Sequence, residues 1–356
     1  MPKCQPSFPA WLPSEPIPSP PRSGRRGQGD GGITSQSGTK LGISLWGTVP
    51  IDELARQAQL AEAIGCDSVW VIDSQLLCRE VYLSLAAILA RTTTLRAATG
   101  VTQPTTRHPS VAASALATLV EAFGERVIMG IGTGFSSLRT IGLPAAKIAE
   151  VEQYVTTVRQ LLRDGLTWRV KPLTVPMVVA ASGPRMTRAA VRFGDGVILH
   201  QGISPDLLSR ALGWAREGGA PPEISCWVPF SMADNPGEAR DRVRARVAGA
   251  LMNTQPEWFD GEDREAVERL QRNYNVSDHA TAQPHHAALV TDSLVARYAV
   301  AGTPAEVREQ LARLMAHPGI DRVILTPQVS GTGARPLELV LRDLDAQVLR
   351  PMRALA

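Results

Sequence analysis

The chain has 356 residues, of which 44% are hydrophobic, and this length suits either one large α/β barrel or two average domains. Residues 1–40 carry five basic and two acidic side chains, so residues 41–356 carry 32 of each sign and the net charge of +3 comes from the first segment. The neutral body lacks the basic face of a nucleic-acid-binding protein, and the sequence has no run of about 18 apolar residues that would span a membrane.

The first segment is also rich in proline, since residues 1–40 hold 8 of the 27 prolines. Proline and glycine at this density oppose regular structure, so residues 1–39 are predicted to form a disordered tail, with a polyproline docking segment as the alternative. The segment has no apolar stretch typical of a secretory signal. The four cysteines of the chain form no CxxC pair, which favours a reducing cytoplasm as its location.

From Lys40 onward, short apolar runs of strand length alternate with longer amphipathic segments of helix length. The predicted strands are 41–46, 68–72, 95–102, 126–131, 177–181, 196–199, 224–232 and 322–326. The predicted helices are 52–64, 81–90, 110–123, 145–162, 186–193, 205–217, 237–252 and 337–349. Eight such strand–helix units with strongly apolar strands predict a single (β/α)8 TIM-barrel domain over residues 40–356. A doubly wound sheet is the alternative, but the turn after the first strand lacks the glycines that such a fold uses.

The longest connection of the predicted barrel, residues 253–317, lies between the seventh and eighth strands. It contains a polar helical piece at 262–272, a turn-rich stretch at 275–286 and a further helix that starts near Pro304. An insertion of this size above a barrel mouth is predicted to form a lid.

In TIM barrels the active site lies at the C-terminal ends of the strands. The residues at those ends are 44–47, 73–74, 100–103, 132–135, 181–185, 200–201, 231 and 327–328. Gly132, Thr133 and Gly134 follow the fourth strand, where they either let backbone amides approach a ligand or form a tight turn. Ser182 and Gly183 precede a helix whose free amides favour a phosphate, with an ordinary serine cap as the alternative.

Few titratable side chains lie at these strand ends. Asp73 either binds a ligand or caps a helix, and His200 is the best general-acid candidate, with a purely structural role as its alternative. His108 is expected to cap or orient its loop, and the histidines at 285–286 lack the spacing of a metal site. Gly100 lies inside the third strand and indicates a bulge or a close backbone approach. A barrel that binds a phosphate and has so few acid–base groups is typical of an enzyme whose cofactor carries the chemistry.

Five segments between about residues 41 and 330 carry a joint signature. They are VWVIDSQLLCREVYLSLAAILART, ATGVTQPTTRHPSVAASALATL, ERVIMGIGTGFSSLRTIG, VPMVVAASGPRMTRAAVRFGDGVIL and VAGTPAEVREQL. Together they resemble the bacterial-luciferase-like superfamily of flavin and deazaflavin oxidoreductases, in particular its coenzyme F420-dependent branch with methylenetetrahydromethanopterin-reductase-like members. The resemblance implies a (β/α)8 barrel with an insertion after strand 7, and a homodimer that pairs through helices early in the barrel.

The resemblance also implies how a cofactor is held. The implied cofactor-binding residues are Asp73, Gly100, Val101, Gln103, Thr133, Gly134, Ser182, Gly183 and Arg185. A non-prolyl cis peptide bond between Gly100 and Val101 is implied to back the deazaflavin ring. The turn at Ser182 and Gly183, with the amides that follow, is implied to bind a phosphate.

Three positions depart from the family pattern and leave the substrate open. Ser44 stands where members that reduce methylenetetrahydromethanopterin tend to carry an acid. Ser74 and Phe135 stand where the sugar-phosphate dehydrogenase branch carries a histidine and a glutamate. The resemblance therefore predicts the cofactor class better than the substrate.

Three hypotheses follow for the function of the chain. The first is an F420-dependent oxidoreductase that transfers a hydride to a small, pterin-like or heteroaromatic molecule, with Asp73 holding the ring, His200 or water supplying a proton, and Arg185 and Arg188 near the anionic cofactor tail. The second is a monooxygenase that uses FMNH2 and O2. The third is a non-catalytic cofactor-binding or interaction protein that docks through its tail.

Overall fold

The computed structural model describes residues 38–169, 171–219, 223–274, 285–328 and 335–355. The tail predicted for residues 1–39 lies outside this part of the chain except for its last two residues, and the turn-rich stretch 275–286 lies outside it except for 285–286. The hydroxyl of Thr39 donates a hydrogen bond to the carbonyl of Ile320 at 3.1 Å. Thr39 is therefore bonded to the barrel domain, and the predicted bounds of tail and domain stay a prediction.

The strands of the described residues form a closed, parallel barrel. They are β1 Lys40–Leu45, β2 Ser68–Val71, β3 Arg96–Thr99, β4 Val127–Ile131, β5 Met177–Ala181, β6 Gly196–Leu199, β7 Glu223–Met232, β8 Val300–Gly302 and β9 Arg322–Pro327. Strands β1 to β7 and β9 form the ring, because β6 pairs with β7 and β9 pairs with both β7 and β1. The predicted (β/α)8 barrel with an insertion before its last strand is confirmed, and the doubly wound alternative is wrong. Strand β8 was not predicted; its three residues pair with the end of β7 outside the ring.

Thirteen α-helices occur in the described part of the chain, most of them on the outside of the ring. They are α1 Ile51–Ala63, α2 Val81–Leu89, α3 Pro109–Phe123, α4 Phe135–Thr140, α5 Ile148–Gln160, α6 Pro184–Phe193, α7 Pro205–Gly218, α8 Pro236–Leu251, α9 Gly261–Asn273, α10 Asp292–Tyr298, α11 Pro304–Met315, α12 Leu337–Leu344 and α13 Arg350–Leu355. Five of them begin with proline, which has no amide hydrogen to leave unpaired in the first turn. His108 caps α3 by accepting a hydrogen bond from the Ser110 amide, which confirms its predicted capping role. No helix in the described part of the chain is both long and apolar enough to cross a membrane.

Part of the barrel interior is filled by a cluster of inward-facing apolar side chains. These are Trp70, Ala98, Ile128, Val178, Ile198 and Ile324, which alternate along their strands with residues that pack against the helices. Below them, at the N-terminal ends of the strands, the fully buried Arg322 forms ion pairs with Asp67 and Glu223. The barrel is therefore closed at this end and open for ligands only at the other.

The insertion packs as a separate small core above the ring. Helices α9 and α10 contact α8 through Val247, Leu270, Leu294 and their neighbours. The predicted helix 262–272 agrees with α9, whereas the predicted helix 145–162 begins at Ile148 and is preceded by the separate helix α4. The insertion therefore lies beside the C-terminal ends of β7 and β9, where it can shape a ligand site.

Candidate active site

A cavity of about 620 Å³ opens at the C-terminal ends of the strands. This volume lies within the range of small-molecule sites, roughly 300–1,000 Å³. Nine of the ten predicted site residues line it: Asp73, Gly100, Val101, Thr133, Gly134, Ser182, Gly183, Arg185 and His200. The fold thus brings together residues that lie far apart in the sequence, and their chemical roles stay predictions.

The end of β3 forms one wall of the cavity. Strand β3 stops at Thr99, three residues earlier than predicted, and the peptide bond between Gly100 and Val101 is cis, as the resemblance implied. A β-carbon at Gly100 would lie 2.9 Å from Cβ of Trp70 and 3.0 Å from the ring of Trp227, so only glycine fits at this position. Gly100 is therefore packed against two tryptophans, and it lies in the cavity wall together with Val101.

Gln103 is the predicted site residue that does not line the cavity. Its fully buried amide oxygen accepts hydrogen bonds from the amides of Thr105 and Thr106 at 2.5 and 3.2 Å, and its nitrogen donates to the Thr106 hydroxyl at 2.6 Å. Gly134, with φ of 74°, covers it so tightly that a β-carbon would lie 2.7 Å from Cγ of Gln103. Gln103 thus holds the loop behind Gly134, and its contact with a cofactor stays a prediction.

The connection from β5 to α6 forms an open cradle. Gly183 precedes the helix with φ of 144°, and a β-carbon at this position would meet no atom within 4 Å. Pro184 is the first helical residue, so the amides of Arg185 and Met186 lie in the first turn, where a helix offers them no acceptor. Ser182 adds a hydroxyl at the same edge of the cavity. Free amides and a hydroxyl at a helix N-terminus suit an anion such as phosphate.

The two arginines predicted near a cofactor tail differ in their surroundings. Arg185 is exposed beside the cradle and lines the cavity. Arg188 instead donates a hydrogen bond to Glu217 at 2.5 Å on the outside of the barrel. Arg185 is therefore the arginine that lies at the cradle, and a role of Arg188 near a cofactor tail stays a prediction.

Asp73 is held in an ion-pair network at the cavity wall. Its carboxylate, which is 3% exposed, accepts hydrogen bonds from Arg107 at 2.6 and 3.1 Å and from Gln75 at 2.8 Å. Arg107 also pairs with Glu80 at 2.8 Å. Burial opposes the charge on Arg107, but its hydrogen bonds and ion pair with Asp73 outweigh that effect and raise its pKa. Arg107 and Gln75 thus hold the Asp73 side chain in place. Sequence reasoning missed Arg107 because it gave weight to the neighbouring histidine.

His200 follows β6 and lines the cavity. Burial lowers the pKa of its imidazole from 6.5 to about 4. At neutral pH the ring is therefore uncharged, so it can exchange hydrogen bonds with a ligand but carries no extra proton of the kind that an imidazolium acid supplies. Within the described ranges, no three His, Cys, Asp or Glu side chains come together as a metal site would require.

The pKa of His200 predicts a pH dependence of stability. The unfolded chain binds a proton at this residue below pH 6.5, whereas the folded protein does so only below about pH 4. The contribution of neutral His200 to stability is therefore complete above pH 6.5 and is lost as the pH falls toward 4. Urea unfolding at several pH values measures this effect. The free energy of unfolding should fall less steeply with decreasing pH in His200→Gln than in the wild type. Equal slopes in this window would contradict the lowered pKa.

The side of the cavity formed by β7, β9 and β1 carries Trp46, which lies in the predicted strand-end segment 44–47, and Arg246, which sequence reasoning missed. Trp46 follows β1, and Arg246 extends from α8 with its guanidinium 4.0 Å from the centroid of the Trp46 ring. Burial lowers the pKa of Arg246 to about 10, so it remains positively charged at neutral pH. Arginines occupy alternate positions 240, 242, 244 and 246 of α8, and no sequence signal marks the one that reaches the cavity.

The closed parallel barrel, with its ligand cavity at the C-terminal strand ends, is the architecture of TIM-barrel enzymes. The model of the luciferase-like monooxygenase family matches residues 28–322. The chain belongs to this family.

Relatives of known activity narrow the class of enzyme. The chain is 24% identical to the 5,10-methylenetetrahydromethanopterin reductase of Archaeoglobus fulgidus, over 86% of this chain and 98% of the relative. It is 30% identical to the F420-dependent glucose-6-phosphate dehydrogenase of Beutenbergia cavernae, over 61% of this chain and 75% of the relative. The solved coenzyme F420-dependent tetrahydromethanopterin reductase of Methanopyrus kandleri shares the fold, with a TM-score of 0.73, 21% identity and coverage of 88% and 99%. The protein is accordingly an oxidoreductase.

Proposed function

We propose that this protein is an F420-dependent oxidoreductase that transfers a hydride between reduced F420 and a small organic substrate, with reduction of a pterin-like or heteroaromatic compound as the favoured direction. The observation that carries the proposal is one cavity that combines the backbone wall at Gly100 and Val101 with the open cradle at Ser182 and Gly183. Several relatives are named as F420-dependent enzymes, which supports F420 as the cofactor of this protein.

The residues of the cavity fit a phosphorylated, flat cofactor. The amides of Arg185 and Met186 and the hydroxyl of Ser182 would bind the phosphate. The backbone at Gly100 and Val101, which belongs to the cavity wall, would face the ring. Exposed Arg185 would bind the anionic tail beyond the phosphate.

The cavity residues would mainly position the cofactor and the substrate, since few of them can donate or accept a proton. Reduced F420 supplies a hydride from carbon 5 of its deazaflavin ring. Asp73, held in place by Arg107, would bind a polar edge of the ring. Neutral His200 would orient the substrate by a hydrogen bond, and a general-acid role for it stays a prediction. Trp227 and Trp46 would cover the reacting groups and exclude water.

The FMN-dependent monooxygenase is the second candidate, and the description of the family as luciferase-like monooxygenases favours it. FMN has a single phosphate, which the cradle suits equally well. Exposed Arg185 beyond the cradle favours the longer anionic tail of F420. The non-catalytic alternative gains weight only from Ser44, Ser74 and Phe135, which replace the acid–base residues of related enzymes.

A substrate screen tests the proposed activity. The purified protein would be mixed anaerobically with reduced F420 and pterin-like, heteroaromatic or carbonyl compounds, and cofactor oxidation would be followed by absorbance. We expect oxidation that depends on one of these compounds and that does not depend on O2. Turnover with FMNH2 and O2 alone would favour the monooxygenase, and deletion of residues 1–39 should leave the activity unchanged.

We further propose a homodimer that pairs through α2 and α3. These helices border a groove of about 610 Å³, beside which Leu83 and Val111 are 65% and 55% exposed. Exposed apolar side chains beside an apolar groove are typical of an interface. Leu83→Glu should convert the dimer to a monomer in sedimentation velocity, whereas Leu339→Glu, an exposed leucine of α12, should not. A wild-type monomer would contradict the proposal.

The proposed location is the cytoplasm. Cys66, Cys78 and Cys226 are free thiols. Cys66 and Cys226 are buried, and burial raises the pKa of the Cys226 thiol to about 12, which makes it unreactive. Free, unreactive thiols agree with a reducing compartment.

A further inference from the structure

Arg246 is a positive charge without a counter-ion in the wall of the cavity. Its Nε donates a hydrogen bond to Gln328 at 3.0 Å, and its guanidinium stacks on Trp46, but it forms no ion pair with any described residue. Only Nε donates a hydrogen bond to a described residue. The end of the guanidinium that carries Nη1 and Nη2 is therefore available to a ligand. Two parallel N–H groups at this end match the two oxygens of a planar carboxylate.

Two residues that line the same side of the cavity hold uncharged donors just beneath its surface. The indole nitrogen of Trp46 and the hydroxyl of Thr326 are buried, and neither has a hydrogen-bond partner within the described ranges. Thr326 is only 4% exposed. Buried polar groups without a partner cost free energy, so native sites keep them where a ligand or water satisfies them.

The charges around the cavity limit what this side can bind. Arg107 pairs with both Asp73 and Glu80, His200 is uncharged at neutral pH, and Arg185 lies at the cradle that follows β5. A ligand on the side of β7, β9 and β1 therefore meets the single positive charge of Arg246. One positive charge balances a monoanion, whereas a phosphate dianion would leave negative charge uncompensated.

We propose that Arg246, Trp46 and Thr326 bind a carboxylate of the substrate, so that the enzyme acts on a small organic monoanion. The inference rests on the proposed function, because F420 bound between the β3 wall and the β5 cradle leaves this side of the cavity to the substrate. Arg246 binds and orients the substrate, and it takes no part in the hydride transfer itself.

Calorimetric titration of the F420-loaded protein with benzoate and with its neutral analogue benzamide tests this inference. We expect benzoate to bind the wild type about 10- to 100-fold more tightly, which corresponds to one charge-assisted contact. Arg246→Met should abolish the preference. Arg242→Met is the matched control, since Arg242 lies one turn earlier on α8 and pairs with Glu238 outside the cavity; it should retain the preference.

The outcomes separate the inference from the proposed function. F420 should bind the wild type and both variants equally, and each benzoate titration is repeated without cofactor. Failure of the wild type to bind F420 would overturn the proposed function and leave the carboxylate preference measurable. Benzoate that binds no better than benzamide, or equally well to Arg246→Met, would overturn the inference. If inorganic phosphate outcompetes benzoate in the wild type, the site prefers a phosphate to a carboxylate. That result would also overturn the inference.

Discussion

Gly183→Ala is expected to weaken F420 binding about 10- to 100-fold, because each hydrogen bond to a charged group contributes roughly 1.5–3 kcal/mol. Gly183 has φ of 144°, a conformation that residues with side chains rarely adopt, and open space surrounds its α-carbon. Alanine would fill part of that space and shift the backbone. The amides of Arg185 and Met186 would then no longer converge on the phosphate. Fluorescence titration with F420 measures the loss.

A second glycine with a positive φ provides the control that separates a loss of F420 binding from backbone strain alone. Gly219 follows α7 with φ of 135°, and a β-carbon there would have its nearest neighbour, Cγ1 of Val191, at 3.8 Å. Gly219→Ala should therefore cost similar stability, but it lies outside the cavity lining and should leave F420 binding unchanged. If both variants bind F420 as the wild type does, the cradle at Gly183 does not hold the cofactor.

Arg322→Met is expected to lower the free energy of unfolding by about 3–5 kcal/mol, the usual cost of removing one partner of a buried ion pair. Arg322 is fully buried, and its guanidinium pairs with Asp67 at 2.9 Å and with Glu223. Methionine would fill most of the volume but leave two carboxylates facing each other at the closed end of the barrel. Urea unfolding monitored by circular dichroism measures the change.

An exposed ion pair provides the comparison for this prediction. Arg91 and Asp52 pair at 2.8 Å with side chains that are 43% and 69% exposed. Arg91→Met should change the free energy of unfolding by less than about 1 kcal/mol. A loss of that small size for Arg322→Met would show that the buried cluster does not stabilise the barrel.

The barrel could be predicted from the sequence because its strands are short apolar runs separated by amphipathic segments. The errors lie where tertiary geometry overrides this pattern. Strand β3 ends at Thr99, because the chain turns at Gly100 and Val101, whereas the apolar run continues. Strand β8 has three residues, too few for a periodicity, and forms only because the end of β7 offers it a partner.

The candidate site could be predicted in part, because the C-terminal end of each strand is known once the strands are known. This rule placed Asp73, Ser182 and His200 at the cavity. It could not find Arg246, which comes from the middle of a helix, nor could it tell that Gln103 turns away from the cavity into its own loop. Side-chain direction depends on packing, which spacing along the chain does not encode.

The central claim is that this oxidoreductase uses F420. Equilibrium titration of the purified full-length protein with F420 and, separately, with FMN tests it most directly, with cofactor fluorescence as the readout. We predict F420 binding at micromolar concentration or below and much weaker binding of FMN. Micromolar binding of FMN with no binding of F420 would contradict the claim.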